Sequence, residues 1–131
     1  MSKINEPIDL AKIIKNTKCV VLKFSASWCG PCQNREFKKR YHNIKDEFSE
    51  YSDIKFIEFD VDEDAGIVND TEYYDFGISS IPHFKICYDG NIVKDFTGGN
   101  NLGDIKEIVQ AVVKKHNYQP IKSTNESSNQ K

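Results

Sequence analysis

The stretch Cys19-Val20-Val21-Leu22-Lys23-Phe24-Ser25-Ala26-Ser27-Trp28-Cys29-Gly30-Pro31-Cys32 decides the fold of this 131-residue chain. From Cys19 to Phe24 the residues are β-branched or apolar except Lys23, the pattern of a strand buried on both faces. Ser25 to Gly30 reads as a turn, and after Cys32 the period changes. Phe37, Tyr41, Ile44, Phe48 and Tyr51 recur at steps of four and three, one stripe of an α-helix. With Phe37 opening that stripe, the helix is expected to run straight from Cys32 towards Tyr51.

Strand, turn and helix in that order place Cys29 at a helix N-terminus. Unpaired backbone N–H groups and the positive end of the helix dipole favour a thiolate there. Only the thiolate attacks a disulfide, so Cys29 is the expected nucleophile and Cys32, one turn on, the resolving thiol. Trp28, Gly30 and Pro31 complete the active-site loop: Pro31 removes one N–H and stiffens the turn, and Gly30 leaves the approach to sulfur open. The same C-x-x-C spacing also suits half a zinc site, which needs two further ligands. His42, His83, Cys87 and His116 offer no second paired spacing, so no metal is expected.

Outward from this centre, Ile54 to Val61 reads as a second strand and Ala65 to Tyr74 as a helix that Gly77 stops. Phe84, Ile86 and Tyr88 alternate with polar residues up to Asp89-Gly90, a hairpin signal, and Asn91 to Thr97 is the returning strand. Leu102, Ile105, Val109, Val112 and Val113 outline a last amphipathic helix ending near His116. A first helix is expected from Pro7 through Ile14, preceded by a brief edge strand at Lys3-Ile4-Asn5. This order predicts an α/β fold, a central mixed sheet of four to five strands with helices on both faces. Residues 1–116 form its domain, and the polar residues 117–131 are expected to be a disordered tail.

Eighteen Lys and Arg against 20 Asp and Glu leave a net charge of −2, so no bulk positive field draws the chain to nucleic acid or membrane. The basic run at residues 35–40 and the eight acids between 58 and 75 read as two solvated faces. Asp60-Val61-Asp62-Glu63-Asp64 lacks the glycine and glutamate that would complete a calcium loop. The first sixteen residues hold no apolar core of seven, so no secretory leader and a cytoplasmic location are expected. Cys19 and Cys87 lie in strands and read as small core hydrophobes. His83 is either an electrostatic tuner of the site near neutral pH or a surface histidine.

The segment Phe24 to Cys32 resembles the active site of thioredoxins, in the right context of strand, loop and helix start. The resemblance spans residues 3–115 and implies the thioredoxin fold. Ile81-Pro82 is similar to the family's Ile–cis-Pro pair, which faces the two cysteines, and Gly98 to its substrate-facing glycine. The resemblance implies a monomeric protein-disulfide reductase and electron carrier. Its redox-active Cys29–Cys32 disulfide would need no other cofactor, and a thioredoxin reductase would recycle it at the expense of NADPH. A disulfide isomerase and a partner-binding module remain alternative readings.

Three departures stand out. Lys23 occupies the place of a buried Asp, and Glu58 that of its usual Lys neighbour, so the charges are swapped. A lone buried Lys costs several kcal/mol or loses its proton, hence a Glu58 partner is expected. As an amine Lys23 would accept the proton of Cys32; as a cation it would stabilise the Cys32 thiolate; as a structural ion pair it would do neither. Phe37 replaces a kinking Pro, and Gln33 replaces a frequent basic residue beside Cys32.

Overall fold

In the computed structural model, which describes residues 4–121, strand β1 (Cys19–Ser25) is buried along nearly its whole length. Seven residues of β1 pair in parallel with β2 (Ile54–Asp60), from Cys19 beside Ile54 to Ser25 beside Asp60. On its other side β1 runs antiparallel to β3 (His83–Tyr88), which pairs with β4 (Asn91–Thr97) through a tight hairpin at Asp89-Gly90. Among the described residues the order β2-β1-β3-β4 gives a mixed sheet of four strands, within the expected four to five. Lys3 lies outside the described residues; Ile4 and Asn5 form no strand, and Ile4 packs instead on the apolar cluster beneath the first helix.

Alternation along β1 divides the core in two. Cys19 and Val21 point to one face, with Phe84 and Ile86 of β3, and are covered by α2 (Arg35–Glu47) and α4 (Leu102–His116). Val20, Leu22 and Phe24 point to the other and meet α1 (Pro7–Asn16), α3 (Ala65–Val68) and Phe76. Leu10, Leu22, Phe24, Phe84 and Ile105 are wholly buried. Each such side chain contributes about 1.5–3 kcal/mol. Cys19 and Cys87 are buried free thiols within these clusters, pushed up to about 12 and about 11 chiefly by burial, which makes them poor thiolates.

Two helices differ from the periodicity. No continuous helix starts at Cys32: a single 3₁₀ turn, Pro31–Gln33, is followed by an extended Asn34 and only then by α2. The cause is local, because the Asn34 side chain accepts from the Phe37 N–H at 2.9 Å and caps a fresh helix. Helix α2 ends at Glu47, short of Tyr51, though Phe48 and Tyr51 still pack below it. Helix α3 is one turn long, and Gly77, with φ +60°, serves a loop nine residues past its end. Asp70 interrupts there by accepting from the Tyr73 N–H, and Tyr74 stacks on Phe76 rather than extending a helical stripe.

Beyond α4, Asn117 turns in the left-handed region, and Tyr118 stacks on His116 and donates its N–H to the Val113 carbonyl. Ile121 donates its N–H to Glu50. The polar stretch expected to be disordered is therefore folded back at residues 117–121; residues 122–131 lie outside the described residues. Among the described residues no helix is long and apolar enough to cross a membrane.

A methyl group on Gly99 would stand 2.7 Å from a ring carbon of Phe37 at the start of α2. Gly99→Ala is expected to lower stability by about 1–3 kcal/mol in urea unfolding, through overpacking. Combining it with Phe37→Leu should cost less than the sum of the two single changes, since the shorter side chain frees the space.

Candidate active site

The C-terminal end of β1 delivers the chain into the turn Ala26–Gly30, where Cys29 donates its N–H to the Ala26 carbonyl. Gln33 clamps the same turn by donating from its side-chain amide to Ala26 at 2.9 Å. A disulfide joins Cys29 to Cys32 across a Cα–Cα distance of 5.2 Å. The Cys32 N–H, at the opening of the 3₁₀ turn, donates to the Cys29 sulfur at 3.2 Å. That donor would stabilise a Cys29 thiolate in the reduced protein. Both cysteines are buried, Cys29 5% and Cys32 1% exposed.

Trp28 is two-thirds exposed beside this loop and donates from its indole N–H to Asp62 at 2.5 Å. The acidic run after β2 thus anchors the loop; Asp60 meanwhile accepts from the N–H groups of Asp62 and Glu63. Asp62 was not singled out from the sequence, where its run read only as an incomplete calcium loop. Gly30 has open space where a side chain would begin.

Ile81 and Pro82 come from the far end of the chain, on the loop entering β3. Their peptide bond is cis, and the Ile81 carbonyl oxygen lies 3.9 Å from the Cys29 sulfur. Gly98, with φ +82°, donates its N–H to the Pro82 carbonyl at 2.8 Å, a conformation that glycine adopts without strain. Between this loop and α2 runs a cleft of about 260 Å³, lined among others by Pro31, Phe37, Arg40, Pro82 and Gly99.

Strand register sets Lys23 directly beside Glu58. Lys23 is 6% exposed, its Nζ 3.8 Å from Glu58 Oε1, and Glu58 is shared with Lys45 at 3.6 Å. The ammonium also stands over the rings of Phe37 and Tyr41, 5.3 and 4.7 Å from their centroids. Its pKa is lowered: burial disfavours the cation, Glu58 partly restores it, and Lys38 and Lys45 repel it. Lys38 reaches Gln33 Oε1 at 3.2 Å, bringing a positive charge to the residue after Cys32. No hydrogen bond between Lys23 and either cysteine is formed among the described residues.

His83 is no surface histidine. It is 8% exposed, its ring edge-on to Phe24, and its Nε2 bonds Asp95. Lys85, 3% exposed, bonds the other oxygen of Asp95 at 2.8 Å. Burial raises the Asp95 carboxyl, but the hydrogen bonds and charges of Lys85 and His83 outweigh it and hold the group below the usual range. Sequence reasoning missed Asp95 and Lys85. The available signal was Lys85 between Phe84 and Ile86 in a strand buried on both faces. Among the described residues no group of three or more His, Cys, Asp or Glu is placed to hold a metal ion.

A family model described as thioredoxin matches residues 5–111. Chicken thioredoxin (Gallus gallus) is 32% identical over 96 residues, covering 73% of this chain and 81% of that protein. Human thioredoxin (Homo sapiens) is 32% identical over 96 residues, 73% of this chain and 77% of that one. The solution structure of oxidised thioredoxin from Plasmodium falciparum superposes with a TM-score of 0.60 at 26% identity, covering 83% of this chain and 94% of that one.

The depressed Lys23 makes a prediction about stability. Between its folded value and the ordinary 10.5, the unfolded chain binds the proton more tightly, so folding stability gains from Lys23 as pH rises through that window. Lys23→Met removes this gain. The stability of the variant minus that of the wild type is therefore expected to fall from pH 8 to pH 10.5, measured by urea unfolding. A difference independent of pH would show that burial does not perturb this lysine.

Proposed function

The chain belongs to the thioredoxin family, a dithiol reductase working by thiol–disulfide exchange, and from that premise we propose how its residues share the work. The observation that carries the reading is the Cys29–Cys32 disulfide at the end of β1, with the Ile81–Pro82 backbone against the Cys29 sulfur.

In the reduced protein the Cys29 thiolate, favoured by the Cys32 N–H, attacks one sulfur of a protein disulfide. A mixed disulfide forms and the other substrate sulfur leaves as a thiolate that takes up a proton. Cys32 then loses its proton and attacks the Cys29 sulfur. The second substrate thiolate departs and the Cys29–Cys32 disulfide closes. Two electrons have passed from protein to substrate, and no other cofactor takes part. The Cys32 N–H directed at the Cys29 sulfur supports the order of attack, because it favours the thiolate at Cys29.

An extended substrate segment would lie against Ile81 and Pro82 as an added strand. Gly98 holds the Pro82 carbonyl, and the cleft beside Pro31 and Phe37 receives side chains. Trp28, tied to Asp62, and Pro31 keep the loop rigid. Lys23 with Glu58 tunes Cys32: its aromatic surroundings and its carboxylate favour a cation, which would stabilise the Cys32 thiolate and make the dithiol less reducing. The protein would work in the cytoplasm as a monomeric electron carrier, recycled by an NADPH-dependent thioredoxin reductase.

The test uses insulin as the disulfide substrate. Cys29→Ser is expected to abolish reduction, and Cys32→Ser to trap a mixed disulfide through Cys29 that dithiothreitol releases. Trapping through Cys32 in Cys29→Ser instead would reverse the roles. The Cys29–Cys32 couple should equilibrate near −270 mV, where a reducing thioredoxin lies; a value near −180 mV would favour an isomerase. Lys23→Met should shift both that potential and the pH–rate profile, and the tuning role fails if neither moves.

A further inference from the structure

The residue that follows Pro82 is held more tightly than strand pairing requires. His83 pairs through its backbone with Thr97 of β4, one residue before the Gly98 that donates to the Pro82 carbonyl. Its ring stands edge-on to Phe24, which in turn packs on Phe59 and Phe76. Nδ1 is buried with no hydrogen-bond partner among the described residues, so Asp95, bonded at Nε2, is the imidazole's one polar anchor there.

Asp95 is itself fixed from the other side. It sits opposite Lys85 in the β3–β4 register and takes the Lys85 ammonium on its second oxygen at 2.8 Å. Lys85 is buried and lies 5.9 Å from the centre of the Phe76 ring. Hydrogen bonds of this kind, to charged partners in a partly buried place, are stronger and more directional than neutral ones. Asp95 is nearly half exposed, so the bridge closes over the outer edge of the sheet while His83 and Lys85 lie beneath it. One end of this ladder is covalently joined to Pro82.

We propose that His83, anchored through Asp95 to Lys85, is a positioning residue that sets the Ile81–Pro82 backbone opposite Cys29 for docking of a protein disulfide. The inference rests on the reading of Ile81 and Pro82 as the substrate-docking strand. His83 touches no reacting atom; it acts through Pro82. A displaced loop weakens the docking of an extended chain, which needs both the Ile81–Pro82 backbone and the cleft beside it. A small disulfide that needs only the Cys29 sulfur is unaffected.

The experiment compares KM and kcat for insulin with the rate on dithiobis-nitrobenzoate, a small aromatic disulfide. His83→Phe keeps a ring and loses the bond to Asp95; His83→Gln keeps an N–H donor at the reach of Nε2. The first is expected to raise KM for insulin about fivefold, the worth of roughly one hydrogen bond. Its kcat, its Cys29–Cys32 potential and its rate on the small disulfide should stay within about twofold of wild type. His83→Gln should restore KM to within about twofold.

Should His83→Phe fail to fold, the double variant Asp95→Ala, Lys85→Met removes the anchor without leaving the Lys85 ammonium buried and unpaired, and the same rise in KM is expected. Unchanged KM in folded variants, or equal loss in His83→Gln and His83→Phe, overturns the proposal. Pro82→Ala separates the two levels. If it raises KM while the His83 variants do not, only the positioning role falls. If it too leaves KM unchanged, the docking reading falls and takes the positioning role with it.

Discussion

Strand β1 is hydrogen-bonded on both edges and buried on both faces, and the rest of the molecule is arranged by that constraint. A parallel neighbour on one side needs the crossover that α2 supplies, and an antiparallel neighbour on the other brings in the β3–β4 hairpin. The turn carrying Cys29 follows directly on the end of this strand. A thiol there has a helical turn donating to it and the loop entering β3 across from it.

The same burial makes Lys23 the costly residue of the fold. A cation inside a central strand needs compensation, and the structure offers two kinds: a carboxylate in register and two aromatic faces. Phe37 and Tyr41 serve the core and the cation together. Phe37 puts an aromatic ring at the start of α2, and Gly99 is obliged to stay small opposite it. Lys23, Phe37 and Gly99 are thus parts of one packing arrangement between β1, α2 and the loop after β4.

On the opposite face a second charged group is buried for a different reason. His83 and Lys85 point the same way from β3 because they are two residues apart, and Asp95 on the edge strand lies across from them. Their mutual satisfaction lets two polar side chains enter an aromatic cluster beside Pro82. Lys23 and this triad therefore flank the cysteine loop from the two sides of one sheet, and both are held by carboxylates at least two-fifths exposed.

The sequence by itself determined whatever depends on neighbours a few residues away. Apolar runs and alternation located all four strands, helical stripes located α1, α2 and α4, and Asp89-Gly90 marked the hairpin. The Trp28–Cys32 motif named the chemistry, since a strand, a turn and two cysteines one turn apart are local features. Local side-chain competition already limited that reading: Asn34 restarts the helix and Asp70 ends another, each by accepting a backbone N–H that periodicity assigns to the helix. Tertiary structure alone decided the fold-back of Tyr118 and Ile121, the anchoring of Trp28 by Asp62, and the burial of His83 with Asp95 and Lys85. Each of these joins residues on separate elements. Which face they share is set by strand register and helix packing, which no stretch of a few residues contains.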